Sequence, residues 1–257
     1  MNDFQVSVHR LSTEEDAQKS FCCMTEIPTP WPEALCTCRN WVSQNLGRSV
    51  EGFHLEHSSG EVIGHLYYAI TPLALIAYHL EPGVAVLYCE WIQRRFQGTG
   101  KGKLLFEAFL AELKALDAQG ILVEASDLDG QMHFRHYLSR GFEQIYEAGH
   151  SKLLYLPLNK PATHILPVQA RRQPSKGLPV EVTVLSGYAC PYEISTYLSL
   201  RQVVKEFGHL VVLQEVMLSP ESVQEYGASR GIFINGRQKL LGGEPEGAIR
   251  QAILEEM

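Results

Sequence analysis

The sequence predicts an α/β protein in two parts, a larger unit over residues 1–160 and a smaller one over 180–257. Three observations lead there. Early strands give way to a strand, helix, strand, helix, strand alternation. A glycine-rich turn joins an apolar strand to an amphipathic helix across Ile92–Leu105. Prolines 161, 167, 174 and 179 punctuate a linker over 161–179 between the two parts.

The elements follow in chain order. Phe4-Gln-Val-Ser-Val alternates and reads as a strand. Ser12 or Thr13 caps a short helix with acids in its first turn. Pro28, Pro30 and Pro32 break the chain, and Pro32 suits the first turn of a helix over Glu33–Leu46. Strands at 52–57 and 62–70 flank the turn Ser58-Ser59-Gly60. Val84 to Ile92 is rich in β-branched and aromatic residues and reads as a buried strand. A helix over Lys103–Ala118 places Leu105, Phe109, Leu113 and Leu116 on one face, and Gly120 closes it. A strand from Ile121, a helix over Gln131–Arg140 ending at Gly141, and strands at 142–147 and 152–156 complete the first part. The second part reads as a strand at Val180, a turn over residues 186–193 into a helix that runs to about Phe207, a strand at Leu210, a short helix, a hairpin turning at Asn235-Gly236, and a closing helix.

Composition bounds the function. Of 257 residues, 45% are apolar and 20% charged, as in an ordinary soluble domain. The net charge of −7 argues against a broad nucleic-acid surface. Up to Lys160 there are 13 Lys and Arg against 19 Asp and Glu, and beyond it 9 against 10. The acidic first part favours a cationic or amine substrate. No apolar run is long enough to span a bilayer. The first ten residues lack a charged segment followed by an apolar core, so the expectation is a cytoplasmic protein with reduced thiols.

The turn at Gln97-Gly98-Thr99-Gly100-Lys101-Gly102 offers backbone N–H groups at a helix start, where anions bind. Lys101 and Lys103 add positive charge. No Gly-Lys-Ser or Gly-Lys-Thr ends the turn, so it is not a Walker A loop. It resembles the pyrophosphate loop Gln/Arg-x-x-Gly-x-Gly/Ala of the GNAT acetyltransferases, with Arg95 offering a second phase. Tyr137-Leu-Ser-Arg-Gly141-Phe142 resembles the Tyr-x-x-x-Gly-Phe end of the helix near the acyl thioester in that family. Where many members carry Asn and then Ala upstream of this tyrosine, this chain carries Gly130 and His133.

The resemblance implies the GNAT acyltransferase fold and acetyl-CoA as co-substrate; the acceptor is expected to be a small-molecule amine or the amine of a peptide. It implies that Gln97, Gly98, Thr99, Gly100, Lys101, Gly102 and Lys103 hold the pyrophosphate. A backbone N–H near Ile92 would polarise the acyl carbonyl. Tyr137 would be the acid that protonates the departing sulfur, and Glu90 the base, with Glu124 and Asp127 as rivals. No metal is expected; His133 and His136 share a helix face but lack a third ligand.

The second part follows a thioredoxin-like plan, and Cys190-Pro191-Tyr192-Glu193 resembles the glutaredoxin Cys-Pro-Tyr-Cys motif. Glu193 replaces the second cysteine, which excludes dithiol chemistry there. Phe21-Cys22-Cys23 near the start, Leu154 to Leu158 at the end of the first part, and this tail resemble the YoaP-type bacterial acetyltransferases. The other class of function in view is a thiol- or soft-metal-responsive sensor built on Cys22, Cys23, Cys36, Cys38 and Cys190.

Overall fold

The computed structural model describes residues 5–24, 32–128, 132–162, 165–186 and 190–257, the side chain of Tyr192 excepted. Phe4, Pro28, Pro30, Gly130, Gln131 and residues 187–189, which figure in the expectations above, lie outside the described residues. Contacts divide the chain into two units. The first takes in Met1–Pro28, Ser43–Ala74 and His79–Leu166; the second takes in Thr29–Val42, Leu75–Tyr78 and Pro167–Met257. The chain passes from the first unit to the second between Leu166 and Pro167, and the second unit also draws two segments from the first half of the chain.

The described elements of the first half are β1 (Val6–Arg10), α1 (Glu14–Gln18), α2 (Pro32–Asn45), β2 (Glu51–His57), β3 (Val62–Ile70), the two-residue β4 (Tyr78–His79), and β5 (Val84–Ile92). Then come α3 (Lys101–Ala115), β6 (Gly120–Ser126), α4 (Phe134–Leu138), β7 (Glu143–Ala148), β8 (Ser151–Pro157) and the two-residue β9 (Leu166–Pro167). The first unit holds a seven-stranded sheet in the order β1-β2-β3-β5-β6-β8-β7. All of its pairings are antiparallel except β5 with β6, which run parallel on either side of α3. A parallel pair needs a crossover, and α3 supplies it.

The α3 side of the core is apolar. Leu105, Phe109 and Leu113 pack with Phe53, Leu55, Leu66, Tyr68, Leu87, Ile121 and Val123, all buried. Thr13 caps α1 as expected, its side chain accepting from the Asp16 N–H. The helix over residues 103–118 is shifted: α3 starts two residues earlier and stops at Ala115. Leu116 is therefore exposed rather than part of the core face. Asp117 takes the left-handed turn that Gly120 was expected to make, at φ +52°. Gly120 instead begins β6, where a Cβ would meet the Tyr155 hydroxyl at 2.0 Å. The helix α4 is one short turn, not the ten residues read from the sequence.

Gly64 on β3 allows a close approach beneath the glycine turn. A Cβ there would lie 2.5 Å from Ile92 Cδ1 and 3.0 Å from Leu105 Cδ1. Gly64→Ala is expected to cost about 1–3 kcal/mol through overpacking, read from the shift of the urea midpoint.

The second unit holds a four-stranded sheet in the order β11-β10-β12-β13, from β10 (Val180–Ser186), β11 (Val211–Met217), β12 (Gly231–Ile234) and β13 (Arg237–Leu240). β10 pairs parallel with β11 and antiparallel with β12. Asn235 and Gly236 both have positive φ, +50° and +76°, as a two-residue hairpin turn requires. Helices α5 (Pro191–Glu206), α6 (Pro220–Tyr226) and α7 (Glu246–Leu254) complete the unit. Cys190 occupies the N-cap of α5 with Pro191 after it, and Glu193 pairs with Arg230 at 2.7 Å.

Candidate active site

The site forms where β5 and β6 part. Their pairing runs from Val84↔Gly120 to Leu87↔Val123 and then stops, although β5 continues to Ile92 and β6 to Ser126. On its other edge β5 carries an irregularity against β3: Tyr67 pairs with Cys89 and Tyr68 with Leu87. Tyr88 is the extra residue. A bulge of this kind reverses the alternation of side chains beyond it. Leu87 packs on the α3 side, and Glu90 and Ile92 return to that side, next to Gly102. Cys89 turns to the opposite face and meets His65.

The backbone of β5 is also directed into the opening. Gln93 donates to the Ile63 carbonyl at 2.9 Å, on the β3 edge. Amides alternate in direction along a strand, so the N–H groups of Ile92 and Glu90 face the β6 edge, where pairing has ended. The Ile92 carbonyl on that edge accepts from Gln97 Nε2 at 2.8 Å. The Gln97 side chain thus ties the turn to the strand, and its backbone N–H donates to the Arg94 carbonyl at 3.1 Å, so the donors left for a ligand begin at Gly98. Arg95, the alternative phase of the motif, is held by Gln93 and Glu61.

Gly98 and Gly100 take φ of +72° and +80°, with open space where a Cβ would stand. Such angles favour glycine. Thr99 donates its hydroxyl to the Phe96 carbonyl at 2.6 Å, which closes the turn. Gly100 caps α3 without a side-chain bond. Lys103 N–H donates to the Gly100 carbonyl. The backbone N–H groups of Gly98, Thr99, Gly100, Lys101 and Gly102 have no backbone acceptor among the described residues. Lys101 Nζ lies 5.6 Å over the Phe96 ring, and the exposed Lys103 pairs with Glu107 at 3.7 Å. This is a cationic cradle at the positive end of a 15-residue helix.

Tyr137 on α4 is 1% exposed and donates its hydroxyl to Met132 Sδ at 3.4 Å. Burial, with Glu90 and Cys89 adding to it, holds the phenol well above its ordinary 10. Tyr137 therefore keeps its proton at neutral pH, as an acid must. Glu90 is engaged by Arg140 through two bonds, Nη1 to Oε2 at 2.6 Å and Nη2 to Oε1 at 2.8 Å. The Arg140 guanidinium also lies 4.2 Å over the Phe106 ring. The carboxylate expected to serve as base is thus paired with Arg140, a partner the sequence reading did not assign. No signal in the sequence links positions 50 apart. Of the rivals, Glu124 accepts from Ser151 at 3.0 Å, and Asp127 is paired with His150 and Lys152. His133 caps α4 through Nδ1, which accepts from the Arg135 N–H at 3.3 Å.

The opposite face of the sheet carries a buried polar row that the sequence did not announce. His54 and His65 are fully buried. His54 Nε2 lies 3.2 Å from the Tyr67 hydroxyl, and the Tyr67 ring stacks on His65 at 4.6 Å. His65 Nδ1 is 3.2 Å from Cys22 Sγ and His65 Nε2 is 3.4 Å from Cys89 Sγ. Burial, with His54 beside it, pushes the His65 imidazole from 6.5 down to about 3. The folded state keeps His65 neutral while the unfolded chain takes up a proton below about pH 6.5. The stability linked to it is complete above that pH and is lost as the pH falls toward 3, by about 1 kcal/mol per pH unit. Urea midpoints between pH 7 and pH 4 are expected to fall accordingly, with a weaker slope in His65→Gln.

Of the cysteines singled out from the sequence, Cys22 and Cys23 lie in a buried 3₁₀ turn of the first unit, and Cys36 and Cys38 on α2 in the second. Among the described residues no three His, Cys, Asp or Glu side chains are grouped to hold a metal. No described helix is long and apolar enough to cross a membrane.

No family model and no curated protein matches the chain. The solved structures it is similar to include acetyltransferases of the GNAT family. One is the GNAT family N-acetyltransferase YhbS from Escherichia coli in complex with CoA, 12% identical, with 61% of this chain and 83% of that chain covered at a TM-score of 0.46. A GNAT-family acetyltransferase from Staphylococcus aureus is 11% identical over 60% of this chain and 99% of its own, at 0.44. The PaiA N-acetyltransferase from Thermoplasma acidophilum in complex with coenzyme A is 13% identical over 60% and 99%, at 0.42.

Proposed function

We propose that the first unit is a GNAT-type N-acetyltransferase that moves an acetyl group from acetyl-CoA to the amine of a small molecule or peptide. The observation that carries this is the coincidence of three features at one opening. The β5–β6 pairing ends, the amides from Gly98 to Gly102 stand at the α3 N-terminus, and a protonated, buried Tyr137 lies beside Glu90. The pyrophosphate sits on those amides, and the pantetheine arm enters the opening. The acyl carbonyl accepts from the Ile92 N–H, which stabilises negative charge on oxygen as the carbon becomes tetrahedral. Tyr137 gives its proton to the leaving sulfur. Alignment of amine and thioester supplies much of the rate.

The second unit is proposed to be thioredoxin-like, of the YoaP-like type, because its strand order and its parallel and antiparallel pairings follow that plan. Without a second cysteine near Cys190 it serves packing or binding rather than dithiol exchange. A cytoplasmic setting with reduced thiols accompanies this reading. Soft-metal or thiol sensing has no specific observation in its favour among the described residues. Calorimetric titration with acetyl-CoA, followed by assay of free CoA over an amine panel, tests the proposal. Saturable binding with amine-dependent CoA release is expected, and absence of binding overturns it.

A further inference from the structure

We propose that Cys89 takes the acyl group before the amine does, so that the reaction runs as two transfers through a Cys89 thioester. This rests on the acyl-CoA reading above. The bulge at Tyr88 places Cys89 at the point where β5 has left β6 and turns its thiol away from α3. The thiol is half-buried, with Sγ 3.4 Å from His65 Nε2. The other ring nitrogen lies 3.2 Å from Cys22 Sγ, so the imidazole is fixed between two sulfurs. With its proton on Nδ1, donated to Cys22, His65 offers Nε2 to the Cys89 S–H. Tyr137 is near enough that charge on Cys89 and charge on Glu90 both raise its phenol. Thiol and base thus stand on one face of the sheet beside the opening and the acid on the α3 face, while Glu90 is held by Arg140, Glu124 by Ser151 and Asp127 by His150 and Lys152.

In the first transfer the Cys89 proton moves to His65 Nε2 as Sγ bonds to the acyl carbon. The bond from that carbon to the CoA sulfur breaks, and the departing sulfur takes the Tyr137 proton. His65 releases its proton to solvent and the phenolate takes one back, so the proton count closes. Thioester is exchanged for thioester, so no oxidant or reductant is needed. In the second transfer a neutral amine attacks the Cys89 thioester. The C–N bond forms, the C–Sγ bond breaks, and the amine proton returns to Sγ through His65. A buried imidazole as weakly basic as His65 holds the proton only in passing.

The full chain is incubated with acetyl-CoA and no amine, quenched in acid, and read by intact mass and peptide mapping. One acetyl group on Cys89 is expected, removed by neutral hydroxylamine and discharged by added amine. Cys89→Ser keeps the side-chain shape; it is expected to bind acetyl-CoA in calorimetry yet to lose the hydroxylamine-labile acetyl and the turnover. Wild-type turnover with acetyl only on lysine, or Cys89→Ser turning over at the wild-type rate, overturns the proposal. Binding of acetyl-CoA without acetylation of Cys89 overturns this step alone. Failure of the wild type to bind acetyl-CoA overturns the acyl-CoA reading as well.

Discussion

Tyr137→Phe is expected to lower kcat by about 10²- to 10⁴-fold, the range for removal of a positioned acid. Binding of acetyl-CoA should be unchanged, since the hydroxyl and not the ring is lost. The packing argument is specific. The ring is 5.4 Å from Phe142 in an edge-on contact, and phenylalanine retains it. Among the described residues the hydroxyl makes one weak bond, to Met132 Sδ. Loss of that bond should change stability by less than about 1.5 kcal/mol. The wild-type pH profile carries the same information. Burial and the neighbouring Glu90 and Cys89 keep the phenol protonated beyond its ordinary range, so Tyr137 should contribute no fall in rate between pH 7 and about pH 10. A single-turnover measurement of CoA release in the variant separates loss of the acid from slow product release. Wild-type turnover in Tyr137→Phe would remove the tyrosine from the chemistry.

Arg140→Ala is expected to destabilise the fold by about 3–5 kcal/mol, the cost of leaving one partner of a buried pair unmatched. The Arg140 and Glu90 side chains are 14% and 5% exposed, and both carboxylate oxygens are bonded. Removing the guanidinium leaves Glu90 charged at the edge of the core and also takes a cation from the face of Phe106. Thermal and urea unfolding measure the loss. The double variant Arg140→Met, Glu90→Leu discriminates: a well-packed apolar pair should recover most of the stability. If Glu90 serves only to hold Arg140, the double variant should also bind acetyl-CoA with near wild-type affinity. Loss of turnover in the double variant, with binding intact, would restore a chemical role to Glu90.

Much of the architecture was legible because it is local. The strand at Val84–Ile92, the glycine turn and the helix after it are written in β-branched runs, glycines and helical spacing. The Asn235-Gly236 turn is a two-residue signal, and the structure turns there. Element ends were less legible. Asp117 rather than Gly120 took the left-handed position, because Gly120 was needed where β6 packs against Tyr155. That demand comes from a residue 35 positions away. The thiols show the same limit. The chain puts Cys22, Cys23, Cys36 and Cys38 close together in sequence, yet Cys22 meets His65, whose other ring nitrogen meets Cys89.

The sequence by itself determined the two α/β patterns, the glycine turn from Gln97 to Lys103 and the tyrosine four residues before Gly141-Phe142. These depend on short-range backbone preference and hydrophobic period, which neighbours in the chain encode. Tertiary structure alone decided which groups meet at the opening. The bulge at Tyr88 sends Glu90 to Arg140 and Cys89 to His65, and the Ile92 N–H faces the edge where pairing with β6 has ended at Leu87. One extra residue in a strand reverses every side chain beyond it. Its position is set by pairing with β3, a strand that precedes it by more than a dozen residues, and no local pattern could announce it.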